Sequence, residues 1–585
     1  MAKNGRMVNS ELVPFGESSS ELAVIDEAEP PGLPGSNPTL ALQHMEAALV
    51  RADLECPGVL SPEQFRRLRY LLSFARLTVF EPGAAGPGGT RGRGDVAVGD
   101  EILGFRQRVI DALFSTLRGR TTAPERLAAA KEVLETFAAD VEYERSRLLE
   151  RHANDFSAAE LDAELGYKTY VAVLGGGGGA GYVYLGGMQR MLAAGLPPAY
   201  MLTNSFGAIV GSVMARALPV PIEDYVAWAK TVTYRGVLAP ARTRRRHGLN
   251  GLFSLRFDEF AKGMFTREDG EPMRLTDLEI PYETVVAGVR KQSFDRLPGR
   301  FHPSHFTLMG VRALEHLKLG YAPGAVNRLW QIGAFIDSRV VKPIVLGGDD
   351  LTAEFNVVDA ASFSSAIPGI LHHESSDPRM WGLLDQLLVE KDVAALVDGG
   401  AASNVPVELA WKRIQDGRLG TRNACYIGWD CFHPQWNPRH LWLQPITQAL
   451  QLQMVRNAPF ADRVIRFSPT LSPVTLAAAP DAIDRAIQWG NASVESSVPF
   501  VQRLTEPVWW EGEQAPQVDR TPIRVSAPLQ PMTTILDGAR RAAEYVPRVT
   551  RVRRRVAAVG DRIRRSQSES AQAVNASGDH LPRRA

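Results

Sequence analysis

A serine in a strand-to-helix turn is the first feature of this chain whose residue types indicate chemistry. Ser205 follows a short strand-like run, residues 199–202, and precedes Gly207 and a helix-like segment of small residues. A serine held in such a tight turn presents its hydroxyl at the top of a sheet, where it is placed to attack a substrate. The sequence therefore predicts a nucleophile elbow at Ser205.

A glycine-rich loop precedes this serine. Residues 169–174 are β-branched, aromatic or apolar, which is typical of a buried strand, and they lead directly into the small-residue run 175–181. Glycines leave the backbone N–H groups uncovered. Two such groups aimed at a developing negative charge form an oxyanion hole, so we expect this loop to stabilise an anionic intermediate.

An aspartate completes the candidate site. Asp398 ends the apolar strand-like run 394–397 and is followed by Gly399 and Gly400, which free the backbone. An aspartate at the carboxyl end of a strand is well placed to meet a serine at the edge of the same sheet. With Asp398 as general base, Ser205 could attack an ester carbonyl, form an acyl-enzyme and release the acyl group to water.

The elements that must position these residues alternate along the chain. The strand-like runs are residues 169–174, 199–202, 280–289, 340–346, 394–397 and 424–429. The clearest helix-like runs in the same region are residues 182–194, 446–457 and 480–504. This alternation predicts an α/β sheet covered by helices on both faces.

The three motifs together resemble those of the patatin-like phospholipases, a family of lipid acyl hydrolases. The family has a glycine loop with one basic position, the serine motif Gly-x-Ser-x-Gly and the acid motif Asp-Gly-Gly or Asp-Gly-Ala. The positions that match are Gly176, Gly177, Gly178, Gly181, Ser205, Gly207, Asp398, Gly399 and Gly400. The resemblance covers roughly residues 167–410 and extends in a weaker form to residue 504.

The resemblance implies a fold, a reaction and a set of site residues. The fold is a three-layer α/β hydrolase-like domain of the patatin type. The reaction is hydrolysis of a carboxylic ester in a phospholipid or an acylglycerol, by a Ser205–Asp398 dyad without a histidine and without a metal or organic cofactor. The backbone amides of Gly176, Gly177 and Gly178 would form the oxyanion hole.

Two departures from the family pattern weaken the expectation of activity and leave an alternative function open. Thr203 stands where the serine motif has its first glycine, and Ala180 stands where the loop has its basic residue. A β-branched side chain crowds a strained turn that ordinarily selects glycine. The alternative is a weak or inactive relative that serves as a membrane-associated binding platform.

Two other interpretations have less support. The spacing of Gly176, Gly178 and Gly181 after a strand also fits a dinucleotide-binding loop, but residues 200–206 offer no acid to hold a ribose. His372 and His373 lack the His-x-x-x-His spacing of a helical metal site, so the sequence favours a surface loop for them.

Composition limits the class of protein. The chain has 585 residues, a formal net charge of +1 and a hydrophobic fraction of 45%, which suits several globular units and argues against a nucleic-acid partner. Three cysteines without metal-ligand spacing argue against a secreted disulfide framework. No signal-peptide pattern is visible at the start. We therefore expect a cytoplasmic protein, with peripheral membrane contact as an open alternative.

Composition shifts along the chain predict four regions. These are a disordered segment (1–38), a helical domain (39–165), the patatin-like catalytic domain (166–505), and a proline-rich connector with a basic amphipathic tail (506–585). In that tail, apolar residues spaced three and four apart alternate with arginines from Arg548 to Arg565. The stretch predicts either contact with an anionic membrane surface or a solvated helix docked on the protein. The sequence gives no indication of oligomeric state.

Overall fold

The computed structural model describes residues 37–84, 93–240, 246–257, 263–294, 334–435, 443–512, 515 and 535–536. Two predicted features lie outside the described residues: positions 1–36 of the segment predicted to be disordered, and the basic stretch from Arg548 to Arg565. Pro38, predicted as the end of the disordered segment, is the first residue of a helix.

Helices dominate the part of the chain before the central sheet. In chain order its elements are α1 (Pro38–Glu55), α2 (Pro62–Arg76), β1 (Val79–Phe80), β2 (Val96–Ala97), α3 (Leu103–Leu117), α4 (Ala123–Arg151) and α5 (Ala158–Gly166). The start of α2 follows from its sequence. Ser61 accepts from the amide of Gln64 while the Gln64 side chain accepts from the amide of Ser61, and Pro62 stands where no amide partner is needed.

From residue 169 onward, strands alternate with helices. These elements are β3 (Thr169–Leu174), α6 (Val183–Ala193), β4 (Tyr200–Asn204), α7 (Phe206–Ala215), α8 (Ile222–Ala229), α9 (Tyr234–Val237), β5 (Leu238–Pro240), β6 (Phe253–Leu255), β7 (Tyr282–Arg290), α10 (Lys291–Phe294), β8 (Val341–Leu346), α11 (Asp350–Ala353), α12 (Val357–Ser364), β9 (Leu371–His372), α13 (Pro378–Glu390), β10 (Val393–Asp398), α14 (Val407–Gln415), β11 (Ala424–Asp430), α15 (Gln444–Asn457), β12 (Arg463–Arg466), α16 (Pro480–Glu495) and α17 (Val498–Thr505). Each of the six predicted strands is present, with ends within two residues of the prediction.

The central sheet is mixed. Its order is β10-β7-β4-β3-β11-β12, and β8 also pairs with β7. Strands β7, β4, β3, β11 and β12 run parallel to one another, whereas β8 and β10 run antiparallel to β7. Because β8 pairs with residues 284–289 of β7, it occupies the edge of β7 opposite to β4 and β10.

Helices cover both faces of this sheet. Alternate residues of β3 belong to different apolar clusters: Ala172 and Leu174 to one, Val171 and Val173 to the other. Since successive side chains of a strand point to opposite faces, the sheet has an apolar core on each side. The prediction of a three-layer α/β fold is confirmed.

Several short elements were not predicted. Strands β5, β6 and β9 form a separate three-stranded sheet, and β1 pairs with β2. The predicted helix over residues 480–504 is two helices, α16 and α17, separated by Ser496 and Ser497. Pro499 stands in the first turn of α17, where proline is tolerated because the amide needs no partner there.

A buried charge cluster joins the first helices to the sheet. Glu46 of α1 accepts from Lys168, which directly precedes β3, at 2.8 Å. It also pairs with Arg69 at 3.3 Å and Arg76 at 3.4 Å, both in α2. Burial alone would raise the pKa of Glu46, but these three cations lower it to about 2. The carboxylate is therefore held ionised at the junction between α1, α2 and β3.

Candidate active site

Ser205 occupies the turn between β4 and α7. Its backbone has φ 52° and ψ −127°, and it is one of two residues other than glycine with positive φ in the described part of the chain. A non-glycine residue persists there only when the surrounding structure enforces it. The chain enters as a buried strand and leaves as a helix, so the turn is an elbow with Ser205 at its apex.

Asp398 reaches Ser205 because two strands meet end to end. Strand β4 runs parallel to β7 and ends with Asn204 opposite Val285. Strand β10 runs antiparallel to β7 and ends with Asp398 opposite Val286, the next residue. The two strand ends thus converge on one edge of β7. The Ser205 hydroxyl donates to Asp398 Oδ2 at 2.5 Å, and both side chains are buried.

The carboxylate of Asp398 has few stabilising partners. Burial raises its pKa to about 6, although the hydrogen bonds from Ser205 and from the amide of Gly400 oppose that rise. The Gly400 amide donates to Asp398 Oδ1 at 2.8 Å. Gly399 is needed at its position because a Cβ there would lie 2.2 Å from the carbonyl oxygen of Val285.

The glycine loop lies against the serine turn. A Cβ on Gly176 would lie 2.7 Å from the Cβ of Ser205, so a side chain there would collide with the turn at Ser205. Gly178 has φ 54°, a conformation that favours glycine. The amide of Gly176 donates to Asn404 O at 3.3 Å. Within the described residues, the amides of Gly177 and Gly178 have no hydrogen-bond acceptor.

The two remaining motif glycines bring α7 close to this loop. A Cβ on Gly207 would lie 2.6 Å from the carbonyl oxygen of Gly175, and a Cβ on Gly181 would lie 2.5 Å from the Phe206 ring. The loop and the first turn of α7 are therefore in direct contact.

Comparison with known protein families agrees with this geometry. Residues 172–411 match the family model of the patatin-like phospholipases. The chain contains a patatin-like phospholipase domain. The matched range includes the glycine loop, Ser205 and Asp398, and a domain of this family suggests lipid acyl hydrolase activity. A search of curated proteins found no match.

In this patatin-like domain, Thr203 is accommodated by a glycine on the following helix. A Cβ on Gly211 of α7 would lie 2.5 Å from Thr203 Cγ2. The Thr203 hydroxyl donates to the carbonyl oxygen of Glu283 at 3.1 Å. The absence of a side chain at Gly211 therefore makes room for the methyl group of Thr203 between β4 and α7.

An apolar cavity opens beside Ser205. It has a volume of about 840 Å³, including space open to solvent, and Gly178 and Ser205 form part of its wall. Most of its wall is apolar and comes from α7, α8 and the small sheet; it includes Phe206, Ile209, Val210, Val213, Trp228 and Leu255. The sequence did not predict this cavity. The apolar residues of its wall are equally consistent with an ordinary core.

The prediction of a surface loop at His372 and His373 is wrong. Both side chains are buried, and His372 lies in β9. His373 Nε2 contacts Asp359 Oδ1 at 2.9 Å, and His372 Nδ1 contacts Leu249 O at 2.8 Å. Each buried imidazole thus has a polar partner for one of its ring nitrogens.

Two classes of feature are absent from the described part of the chain. None of its helices there has the length and apolar composition that a membrane span requires. No group of three or more histidine, cysteine, aspartate or glutamate side chains there is arranged to hold a metal ion.

Proposed function

We propose that this protein hydrolyses carboxylic esters of phospholipids or acylglycerols, with Ser205 as the nucleophile and Asp398 as the general base. The observation that carries the proposal is the 2.5 Å hydrogen bond from the Ser205 hydroxyl to Asp398 Oδ2. Ser205 itself lies in the wall of an apolar cavity. A nucleophile within hydrogen-bond reach of its base is the geometry that covalent catalysis requires.

In the first half of the reaction, Asp398 accepts the hydroxyl proton as Ser205 Oγ attacks the carbonyl carbon of the ester. The carbonyl oxygen becomes an oxyanion, for which we propose the amides of Gly177 and Gly178 as donors, since the Gly176 amide is already bonded to Asn404. The bond to the alcohol then breaks. Asp398 returns the proton to the departing alkoxide, and the acyl group stays on Ser205.

In the second half, water replaces the alcohol. Asp398 takes a proton from the water as its oxygen attacks the acyl-enzyme carbonyl. The bond to Ser205 Oγ breaks, the serine regains its proton from Asp398, and the fatty acid leaves. The dyad is restored without any change of oxidation state.

The cavity supports a lipid acyl group as the part of the substrate that is recognised. An alkyl chain transferred from water to an apolar wall gains about 0.8 kcal/mol for each methylene buried. The residues of α7 and α8 offer such a wall next to the nucleophile. These contacts do not distinguish between head groups, so the proposal includes both phospholipids and acylglycerols as substrates.

The test is fatty-acid release from phosphatidylcholine vesicles, from a triacylglycerol emulsion and from p-nitrophenyl butyrate. We expect Ser205→Ala and Asp398→Asn each to lower kcat by at least about 10³-fold, because each removes a member of a unit that acts together. Ser212→Ala and Asp430→Asn are matched controls, because both residues are buried. Ser212 lies in the helix that follows Ser205, and Asp430 ends another strand of the same sheet.

If all five proteins fold and show the same low background, the proposal is wrong and the inactive-platform alternative is favoured. Activity that survives in Asp398→Asn but not in Ser205→Ala would assign the base to another group.

A further inference from the structure

The backbone of Ser205 is held by a hydroxyl that the proposed mechanism does not use. The amide of Ser205 donates to Ser364 Oγ at 2.9 Å. Ser364 is the last residue of α12 and is fully buried. Among the described residues, this hydroxyl is the acceptor that the structure gives to the Ser205 amide.

We propose that Ser364 is a positioning residue for the reaction proposed above, on which this inference rests. Its hydroxyl fixes the peptide group of Ser205 in its unusual conformation and thereby aims the nucleophile at Asp398. With φ at 52°, Ser205 is outside the regions that serine prefers, so a specific contact is required to hold it there.

The Ser364 hydroxyl is anchored to the strand that aligns both halves of the dyad. It donates to the carbonyl oxygen of Val285 at 2.6 Å, and the hydroxyl of Thr284 lies 3.0 Å away. Val285 stands opposite Asn204, and the next residue of β7 stands opposite Asp398. Ser364 therefore ties the peptide of the nucleophile to the same edge of β7 that places the base.

The neighbouring serine is a weaker candidate. Ser365 Oγ lies 2.9 Å from Ser205 O, but it also lies 2.8 Å from Ala361 O, so its single proton is divided between two acceptors. Ser205 O has a second donor in the amide of Ala208. Losing Ser365 would leave that carbonyl satisfied, whereas losing Ser364 leaves the Ser205 amide buried without an acceptor.

The same helix offers a matched control. Ser362 is fully buried two residues before Ser364, and its hydroxyl has no partner in the described part of the chain. Ser362→Ala removes the same atom from the same helix without touching the Ser205 turn.

The experiment compares Ser364→Ala, Ser364→Thr and Ser362→Ala with the native full-length protein. For Ser364→Ala we expect kcat on p-nitrophenyl butyrate and the rate of Ser205 labelling by a fluorophosphonate to fall about tenfold to a hundredfold, the cost of one unsatisfied buried donor. KM should change less than about twofold, because Ser364 does not form the cavity wall. Ser364→Thr, which keeps a hydroxyl, should restore part of the loss, and Ser362→Ala should resemble the native protein.

A second readout does not depend on activity. Hydrogen exchange measured by mass spectrometry on the peptide that contains residues 203–210 should become about tenfold faster in Ser364→Ala and stay unchanged in Ser362→Ala. If exchange in Ser364→Ala matches the control, or labelling falls only in proportion to the unfolded fraction, the positioning role is wrong. If the native protein shows no labelling and no hydrolysis, the proposed function fails, and the exchange result still decides whether Ser364 holds the turn.

Discussion

In the reaction proposed above, Asp398 must lose its proton before it can accept one from Ser205. Its burial favours the neutral acid, and the two hydrogen bonds that it accepts only partly offset this effect. A carboxyl group with an ordinary pKa would be ionised throughout the range in which proteins are stable. A carboxyl group with a pKa near 6 instead titrates within that range, which makes its protonation state measurable through activity.

We therefore expect the activity to fall at mildly acidic pH. Since the raised pKa is about 6, kcat/KM should be near its plateau above pH 7, half of it near pH 6 and about tenfold lower at pH 5. The measurement is initial rate on p-nitrophenyl butyrate from pH 4.5 to 8, with circular dichroism at each pH to verify folding. A midpoint near 4, the value of an exposed aspartate, would show that the carboxyl group is solvated or is not the base.

At the residue scale, the sequence alone singled out Ser205 and Asp398, which the structure places in hydrogen-bond contact, but it did not single out the residues that hold them. Their catalytic roles stay a proposal. Ser205 and Asp398 stand out because strand-like runs stop at them and glycines follow. Ser364 carries no such mark, because its role depends on α12 lying across β7 from a distant part of the chain. The engaged amide of Gly176 was equally hidden, since its acceptor, Asn404, is remote in sequence.

At the scale of elements, the contact between β4 and α7 depends on two residues that compensate for each other. Thr203 adds a methyl group two residues before Ser205, and Gly211 lacks the side chain that would collide with that methyl group. The pair explains how a β-branched residue fits a position where the family pattern has glycine.

Because of this contact, replacing Gly211 with alanine should lower the stability of the protein, which is the opposite of the usual effect in a helix. Replacing a helical glycine with alanine ordinarily stabilises a protein by about 0.5–1 kcal/mol. Gly211→Ala should instead destabilise by about 1–3 kcal/mol, because its Cβ would lie 2.5 Å from Thr203 Cγ2. In the Gly211→Ala background, Thr203→Ser removes that methyl group and keeps the hydroxyl, so it should recover most of the loss. Thermal unfolding of the four proteins tests this, and a higher Tm for Gly211→Ala alone would refute it.

The elements themselves were predictable to different degrees. Apolar runs gave β3, β10 and β11 correctly, and glycines follow the first two of these strands. Strand β12, with the sequence Arg-Val-Ile-Arg, is short and flanked by charge, and β5, β6 and β9 have only two or three residues each. Strand direction is not encoded in periodicity. For that reason the sequence could suggest that Ser205 and Asp398 meet, but not that they do so at the opposed ends of β4 and β10.

At the scale of the whole molecule, the first helices and the sheet share one continuous apolar core. The buried cluster around Glu46 lies within this contact. The Arg69 guanidinium of that cluster also donates to the carbonyl oxygens of Leu504 and Glu506. The boundaries at residues 38, 165 and 505 stay predictions, and the last helix of the first region, α5, ends at Gly166.

Removing the carboxylate of Glu46 should lower the free energy of unfolding far more than removing a surface charge does. Glu46→Gln leaves Arg69, Arg76 and Lys168 buried without their shared anion, for which we expect a loss of about 3–5 kcal/mol in the free energy of unfolding. Glu63→Gln, which breaks an exposed pair with Arg67 in α2, is the control and should cost less than about 1 kcal/mol. Urea denaturation measures both, and equal losses would contradict the assignment.

The stabilisation that the Glu46 carboxylate provides should decrease as the pH falls. The pKa of Glu46 is lowered from 4.5 to about 2 in the folded protein, so its stabilisation is complete above pH 4.5 and disappears as the pH falls towards 2. Acid should accordingly narrow the difference in stability between the native protein and Glu46→Gln.

The contacts of Arg69 with residues 504 and 506 also have a consequence for folding during synthesis. During synthesis α2 leaves the ribosome long before α17, yet the carbonyl oxygens that complete the shell of Arg69 lie at residues 504 and 506. Until residue 506 has been synthesised, this guanidinium lacks two of its final acceptors. The native surroundings of α2 are therefore completed only after α17 has been made.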